Sequence, residues 1–260
     1  FLDRAFATDT AVLGMMSIVF VPFFFFGSVY AQVALGKNSS QAGEYILWFF
    51  IGFVIMAQVG GRMLDRRGVR PPVVFGGALG AVGFFLLAGK LTDLSLGAQS
   101  LYIALAGGGL GLMLGPASTD AVNRAPSTSY SEVTGITQTA RNFGASLGLA
   151  VLGAILISRN DTNVTAALTK HGVPSGVAHR VAASFSGSAG SGSGRSPALV
   201  HDVQVAFAHS TQTVFYIMAG VMVATFIVAV RWLPRGRLES AEEQEELAMP
   251  ATAEEGTMFR

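Results

Sequence analysis

Six stretches of this chain stay apolar for far longer than a strand or a buried core helix requires. They cover approximately residues 11–33, 45–64, 72–90, 99–119, 135–157 and 212–232. A helix needs about 20 apolar residues to cross the hydrocarbon of a bilayer. A barrel strand instead alternates apolar and polar positions over about 10 residues. These stretches do not alternate and run nearly twice that length. A helix pairs its own backbone groups, as lipid requires. The pattern predicts an all-α membrane protein with six transmembrane helices. The fifth span has the shortest strictly apolar part, from Phe143 to Ile157.

The polar segments set the orientation. Arg4, Arg62, Arg66, Arg67, Arg70, Arg124, Arg231, Arg235 and Arg237 fall on one side of a six-span chain. Lys37, Lys90 and Arg159 lie near the membrane on the other, with Lys170, Arg180 and Arg195 further out. Loops rich in Arg and Lys stay in the cytoplasm. Both ends of this segment are therefore expected there, in a plasma (bacterial inner) membrane protein. One connection is long, an external loop at 159–210. It contains the linker SGSAGSGSGRSP at 186–197 and all four histidines, His171, His179, His201 and His209. Their spacing lacks the close i,i+4 pairing of a ligand set, so no metal and no cofactor is expected. Segments 164–184 and 199–209 read as short amphipathic surface helices. Residues 238–260 read as an acidic disordered cytoplasmic tail.

Composition agrees. The chain is 51% hydrophobic and 13% charged, against about 25% charged in a soluble domain. Cysteine is absent, which excludes disulfides and thiolate metal sites. Seven of the sixteen acidic residues are glutamates within 239–255, and all but one of the seventeen basic residues precede them. Residues 1–237 thus carry a net charge of +7, which topology explains without a nucleic-acid partner.

Three kinds of residue stand out inside the spans. Glycines recur at intervals of four or five: Gly107, Gly111 and Gly115 in the fourth, Gly144, Gly148 and Gly153 in the fifth, Gly76 and Gly80 in the third. Small residues at this spacing let two backbones approach closely in lipid. They serve either static packing or faces along which helices slide. Pro22 and Pro116 mark kinks or breaks in the first and fourth spans. Polar residues at depth are Gln32, Gln58, Arg141 and Asn142, candidates to line a cavity. Interhelical hydrogen bonding suits the glutamines equally, and Arg141 sits close enough to the interface to reach it. The central parts of the spans contain no Asp or Glu. A proton-coupled pump needs a buried carboxylate, so the coupling group is expected in a part of the molecule beyond this chain. No nucleophile, metalloprotease or phosphate-loop motif occurs, so an enzyme is not expected.

Between the second and third spans lies GRMLDRRGVRP, residues 61–71, with four arginines and an aspartate. Gly61, Asp65, Arg66, Gly68 and Arg70 resemble the G-x-x-x-D-R-x-G-x-[RK] signature of the major facilitator superfamily, which joins the second and third helices of a six-helix half. YAQVALGKNSSQAGEYIL (30–47) and QTARNFGASLGLAVLGAIL (138–156) resemble the C-terminal half of fourteen-span drug/proton antiporters of the EmrB/QacA type. The resemblance implies a six-transmembrane-helix half of a major facilitator fold over residues 1–237. It implies export of hydrophobic or amphipathic small molecules by proton antiport with alternating access. The chain then begins inside a longer protein, and the missing N-terminal half is its partner in the bilayer. Gly61, Asp65, Arg66, Gly68 and Arg70 form a conformational gate motif, with Asp65 near a neighbouring helix N-terminus. Arg66 and Arg70 are expected to pair with carboxylates or helix-end carbonyls across the seam between halves. The alternatives are a non-transporting six-helix scaffold subunit, or an importer of the same superfamily.

Overall fold

The computed structural model describes residues 4–124, 130–170 and 197–234. It contains six long helices: α1 (Arg4–Val33), α2 (Ser39–Arg67), α3 (Arg70–Lys90), α4 (Leu96–Asn123), α5 (Tyr130–Lys170) and α6 (Pro197–Trp232). A single 3₁₀ turn, Leu91–Asp93, joins α3 to the loop before α4. All six helices are long and apolar enough to cross a membrane. Among the described residues there is no strand.

Four of the helices, α1, α2, α5 and α6, start five or more residues before their apolar stretches, because backbone hydrogen bonding continues where side chains turn polar. α2 begins at Ser39, six residues ahead of its apolar stretch. Asn38 caps it: its side chain accepts from the Gln41 amide at 2.8 Å, and the Gln41 side chain accepts from the Asn38 amide at 3.2 Å. This reciprocal pair satisfies two otherwise orphaned donors. Pro22 and Pro116 lie inside continuous helices and break neither.

The long connection differs most from the reading above. α5 has 41 residues, about 60 Å at 1.5 Å per residue, twice the hydrocarbon thickness. Residues 159–170 continue α5 and 197–210 open α6, so both ends of the 159–210 segment are helical. Asn160, Val164 and Leu168 recur every four residues and are buried. On α6, Val203, Ala206, Phe207 and Ser210 form the matching stripe. Asn163 Nδ2 donates to Ser210 Oγ at 3.0 Å, tying the two helices beyond the apolar spans. Residues 164–170 and 199–209 are thus parts of two spanning helices, not separate surface helices. The rest of that segment, including most of the glycine–serine linker and His171 and His179, lies outside the described residues, as does the 238–260 tail.

α4 is the central helix, packed by α2 on one side and α3 on another. A Cβ on Gly107 would overlap the Phe49 carbonyl oxygen of α2, and one on Gly111 the Phe53 carbonyl. On the other side, a Cβ on Gly76 of α3 would lie 2.6 Å from the Gly109 oxygen. α5 meets α1 in the same way: Gly144 and Gly148 abut the backbone oxygens of Gly14 and Ile18. Lipid tails are as apolar as Leu, so hydrophobic burial cannot drive these contacts; close van der Waals packing does. Two of the eight glycines expected to pack do not. Gly115 has nothing within 4 Å of its would-be Cβ, and Gly153 meets only the Phe26 ring at 3.9 Å. Helix register decides this, because a spacing of four drifts around the 3.6-residue turn.

Aromatic rings fill the space between α1 and the rest. Phe23 stacks on Phe49 with centroids 4.3 Å apart and meets Phe84 and Phe215 edge-on. At the end away from the 61–71 segment, polar groups close the core. Tyr30 Oη donates to the Leu91 carbonyl and accepts from Gln99 Nε2 at 2.9 Å. Gln99 Nε2 also donates to the Lys90 carbonyl at 3.0 Å, and Gln212 Nε2 to the Ala88 carbonyl at 3.1 Å. These side chains add bonds to the carbonyls at the end of α3 and in the 3₁₀ turn, where Ala88 and Leu91 also accept the Leu91 and Leu94 amides.

Two outcomes are expected from this packing. Gly111→Ala lowers stability by about 1–3 kcal/mol, since the added methyl forces α2 away from α4. Gly115→Ala is neutral within about 0.5 kcal/mol, as a site with open space tolerates it. Thermal unfolding of the detergent-solubilised protein reads the difference, and equal losses at both sites would contradict the assigned register. Tyr30→Phe costs about 1 kcal/mol by removing one of the two donors to the Leu91 carbonyl and the acceptor of Gln99 Nε2, measured in the same assay.

Candidate functional site

The 61–71 segment is a tight corner. Gly68 ends α2, its amide donating to the Leu64 carbonyl at 2.9 Å, with φ +81°. That left-handed angle disfavours any residue with a Cβ, which explains Gly68 in the signature. Val69 follows, and α3 starts at Arg70 with Pro71 and Pro72 in its first turn, where a missing amide proton is harmless. Two residues thus reverse the chain and set the arginines around one helix end.

The five signature residues divide sharply. Gly68 is buried in the corner. Arg70 is half-buried, and its guanidinium donates to the Val230 carbonyl at the C-terminal end of α6. That is a helix-end carbonyl, as expected for Arg70, but it lies within this bundle and not across a seam to another half. Gly61, Asp65 and Arg66 face outward. Gly61 has nothing within 4 Å of its would-be Cβ, and Asp65 and Arg66 are exposed. Among the described residues neither Asp65 nor Arg66 has an ion-pair partner. Arg62 and Arg67 are exposed beside them.

The four polar residues singled out at depth are not brought together. Gln32 donates to Ser28 Oγ of its own helix at 3.1 Å, and Arg141 donates to Gln138 Oε1 of its own helix at 3.0 Å. Gln58 and Asn142 are exposed, on α2 and α5. Those two helices are the least buried of the six along with the most apolar exposure: Val54, Ile55, Phe143 and Ile157 are each more than half exposed.

One cluster was not singled out by the sequence. Asp9 of α1 is fully buried, and Asp120 near the end of α4 is 4% exposed. Arg124, just after α4, stands between them. Its Nε donates to Asp120 Oδ2 at 2.6 Å and lies 3.3 Å from Asp9 Oδ2. The cluster sits at the same end of the bundle as the 61–71 corner. Arg124 alone reads as a topology charge, and Asp9 precedes the apolar stretch, so neither draws attention in one dimension. The signal was the i,i+4 spacing of Asp120 and Arg124, which forms an ion pair on one helix face.

The family model described as Major Facilitator Superfamily matches residues 2–159. The multidrug transporter protein MdtP of Bacillus subtilis is 30% identical over 155 residues, covering 59% of this chain and 27% of that protein. The tetracenomycin C resistance and export protein of Streptomyces glaucescens is 29% identical over 153 residues, 59% of this chain and 28% of the relative. A triacylglyceride transporter of Mycolicibacterium smegmatis is 30% identical over 136 residues, 48% of this chain and 24% of the relative. The matches thus take in no more than 28% of these curated relatives' length. The α2–α3 corner, the glycine seams and the Asp9–Arg124 cluster all lie within the residues that the family model matches. The chain therefore belongs to the Major Facilitator Superfamily, as a six-helix half of a multi-pass membrane transport fold similar to drug exporters, and it is not an enzyme.

Proposed function

We propose that this chain is the C-terminal half of a secondary exporter of hydrophobic or amphipathic compounds, of the fourteen-span drug/proton antiporter type. It works by alternating access in the bacterial inner membrane, with both ends of this segment cytoplasmic. Its partner is the N-terminal half of the same transporter.

The observation that carries this reading is the division of the signature at the α2–α3 corner. Gly68 and Arg70 are used inside the bundle. Gly61, Asp65 and Arg66 are left facing outward on one of the least buried helices. A charge kept only for topology requires no aspartate and no glycine. An outward glycine with an aspartate one turn later suits close approach of a second helix and an ion or helix-end contact there. Such contacts hold one conformation closed, and breaking them shifts the inward–outward equilibrium. The names of the relatives above support the substrate class: two act on drugs or antibiotics and one on a lipid, all rich in apolar surface. The exposed Phe25, Phe50 and Phe143 supply apolar surface suited to such molecules.

In cells producing the full-length transporter, Asp65→Asn is expected to reduce efflux of a fluorescent cationic dye at least tenfold while leaving expression and thermal stability unchanged. Unaltered efflux would remove the gate reading. Arg70→Ala is expected to act oppositely, lowering the unfolding temperature because α6 loses its end contact. A proton gradient imposed on vesicles should drive dye export, and dye movement indifferent to that gradient would remove antiport.

A further inference from the structure

Asp9 is a buried carboxylate that neither the gate nor the glycine seams employ. It lies on the packed face of α1, one turn before Leu13 and two before Met16, all fully buried. Facing it from α4 are Asp120 and Arg124. Both carboxylates converge on the same guanidinium nitrogen, Nε. Asp120 takes the hydrogen bond, and neither oxygen of Asp9 accepts one from any described residue. The neighbouring Thr10 hydroxyl is buried without a partner as well.

Among the described residues no other charge balances the pair. At this end Arg4 shares α1 with Asp9, Asp65 and Arg66 end α2, Arg70 opens α3, Glu132 and Arg141 lie on α5, and Arg231 lies on α6. None of these makes an ion pair with Asp9 among the described residues. With both carboxylates ionised, the cluster would hold an uncompensated negative charge inside the protein. Burying such a charge is costly, and the group takes up a proton instead. The Asp120 carboxylate beside Asp9 adds to that penalty on the Asp9 charge. A proton on Asp9 cancels the excess charge and supplies the donor that these facing oxygens lack.

We propose that Asp9, Asp120 and Arg124 form a proton-binding site within this half, in which Asp9 holds a proton beside the Asp120–Arg124 ion pair. The cluster also fastens α1 to α4 at the arginine-rich end. Losing the proton leaves a net negative charge there and loosens the α1–α4 contact. The binding of the proton stands on the geometry; its use in transport rests on the antiport reading above. Looking only at the middle of the apolar stretches passes over this site, because Asp9 precedes the first of them.

Difference infrared spectroscopy of the purified full-length transporter tests the site without transport. A protonated carboxyl band at neutral pH is expected in the wild type and absent in Asp9→Asn. Asparagine matches the protonated carboxyl in size, and Arg124 keeps Asp120, so this variant is expected to fold. Arg124→Gln, which removes the cation, is expected to add a second carboxyl band. Spectra of Asp9→Asn that superimpose on wild type through the titration, or Arg124→Gln without a gain, would overturn the proposal. Dye efflux against cytoplasmic pH is the second arm, with a flattened profile expected for Asp9→Asn. An intact band beside efflux that ignores pH keeps the site and removes the antiport reading instead.

Discussion

Where Gly107 and Gly111 of α4 meet the carbonyl oxygens of Phe49 and Phe53, there is no room for a methyl group. The rest of the bundle depends on that contact. In water, helices are pressed together by burial of apolar surface. In lipid that drive is missing, and association relies on short-range attraction between closely fitted surfaces. Dispersion falls steeply with separation, so backbones must nearly touch. α4 does this on two sides at once, and α5 does it against α1. Bulkier residues appear only where a gap remains, as with the stacked rings of Phe23 and Phe49.

The seam between α1 and α4 is built otherwise. No glycine brings these two backbones together. Polar side chains near the two ends bind them, with aromatic rings between. One end has Tyr30 and Gln99 hydrogen-bonded to each other and to the last carbonyls of α3. Its bonds involve no charged side chain, and the Lys90–Asp93 ion pair beside them is solvent-exposed. The other end has Asp9, Asp120 and Arg124, two anions on one cation. Its strength depends on protonation. The glycine seams thus make rigid pairs of helices, while the α1–α4 seam carries a contact whose energy changes with charge. A bundle that rocks as a body requires the first; a bundle that senses protons requires the second.

The same economy appears at the 61–71 corner. Gly68 and Val69 turn the chain within two residues, and Arg70 ties the start of α3 to the end of α6. What remains of the signature points away from the bundle. The division between inward and outward members is decided by helix phase alone: Gly61 and Asp65 are four apart and share a face, while Gly68 lies past the end of α2.

Six membrane helices, the side on which the arginines gather and the signature at the second corner were all readable from the chain, because each rests on local properties: run length, charge count and residue type at fixed spacing. Six of the eight candidate packing glycines were found by spacing too. Gly115 and Gly153 were not distinguishable from them, since which way a glycine faces depends on the neighbouring helix. The lengths of α5 and α6 were hidden for a similar reason. Their polar ends qualify as helix only because Val164, Leu168, Val203 and Phe207 bury one another. Asp9 is separated from Asp120 and Arg124 by more than a hundred residues, and each had an innocent reading alone. Their meeting is a product of α1 and α4 crossing at one end of the bundle. Sequence determined that this chain lives in lipid and where its helices lie, because lipid acts on each segment separately. Tertiary structure decided which charges end up buried together, because that requires two segments to share one place.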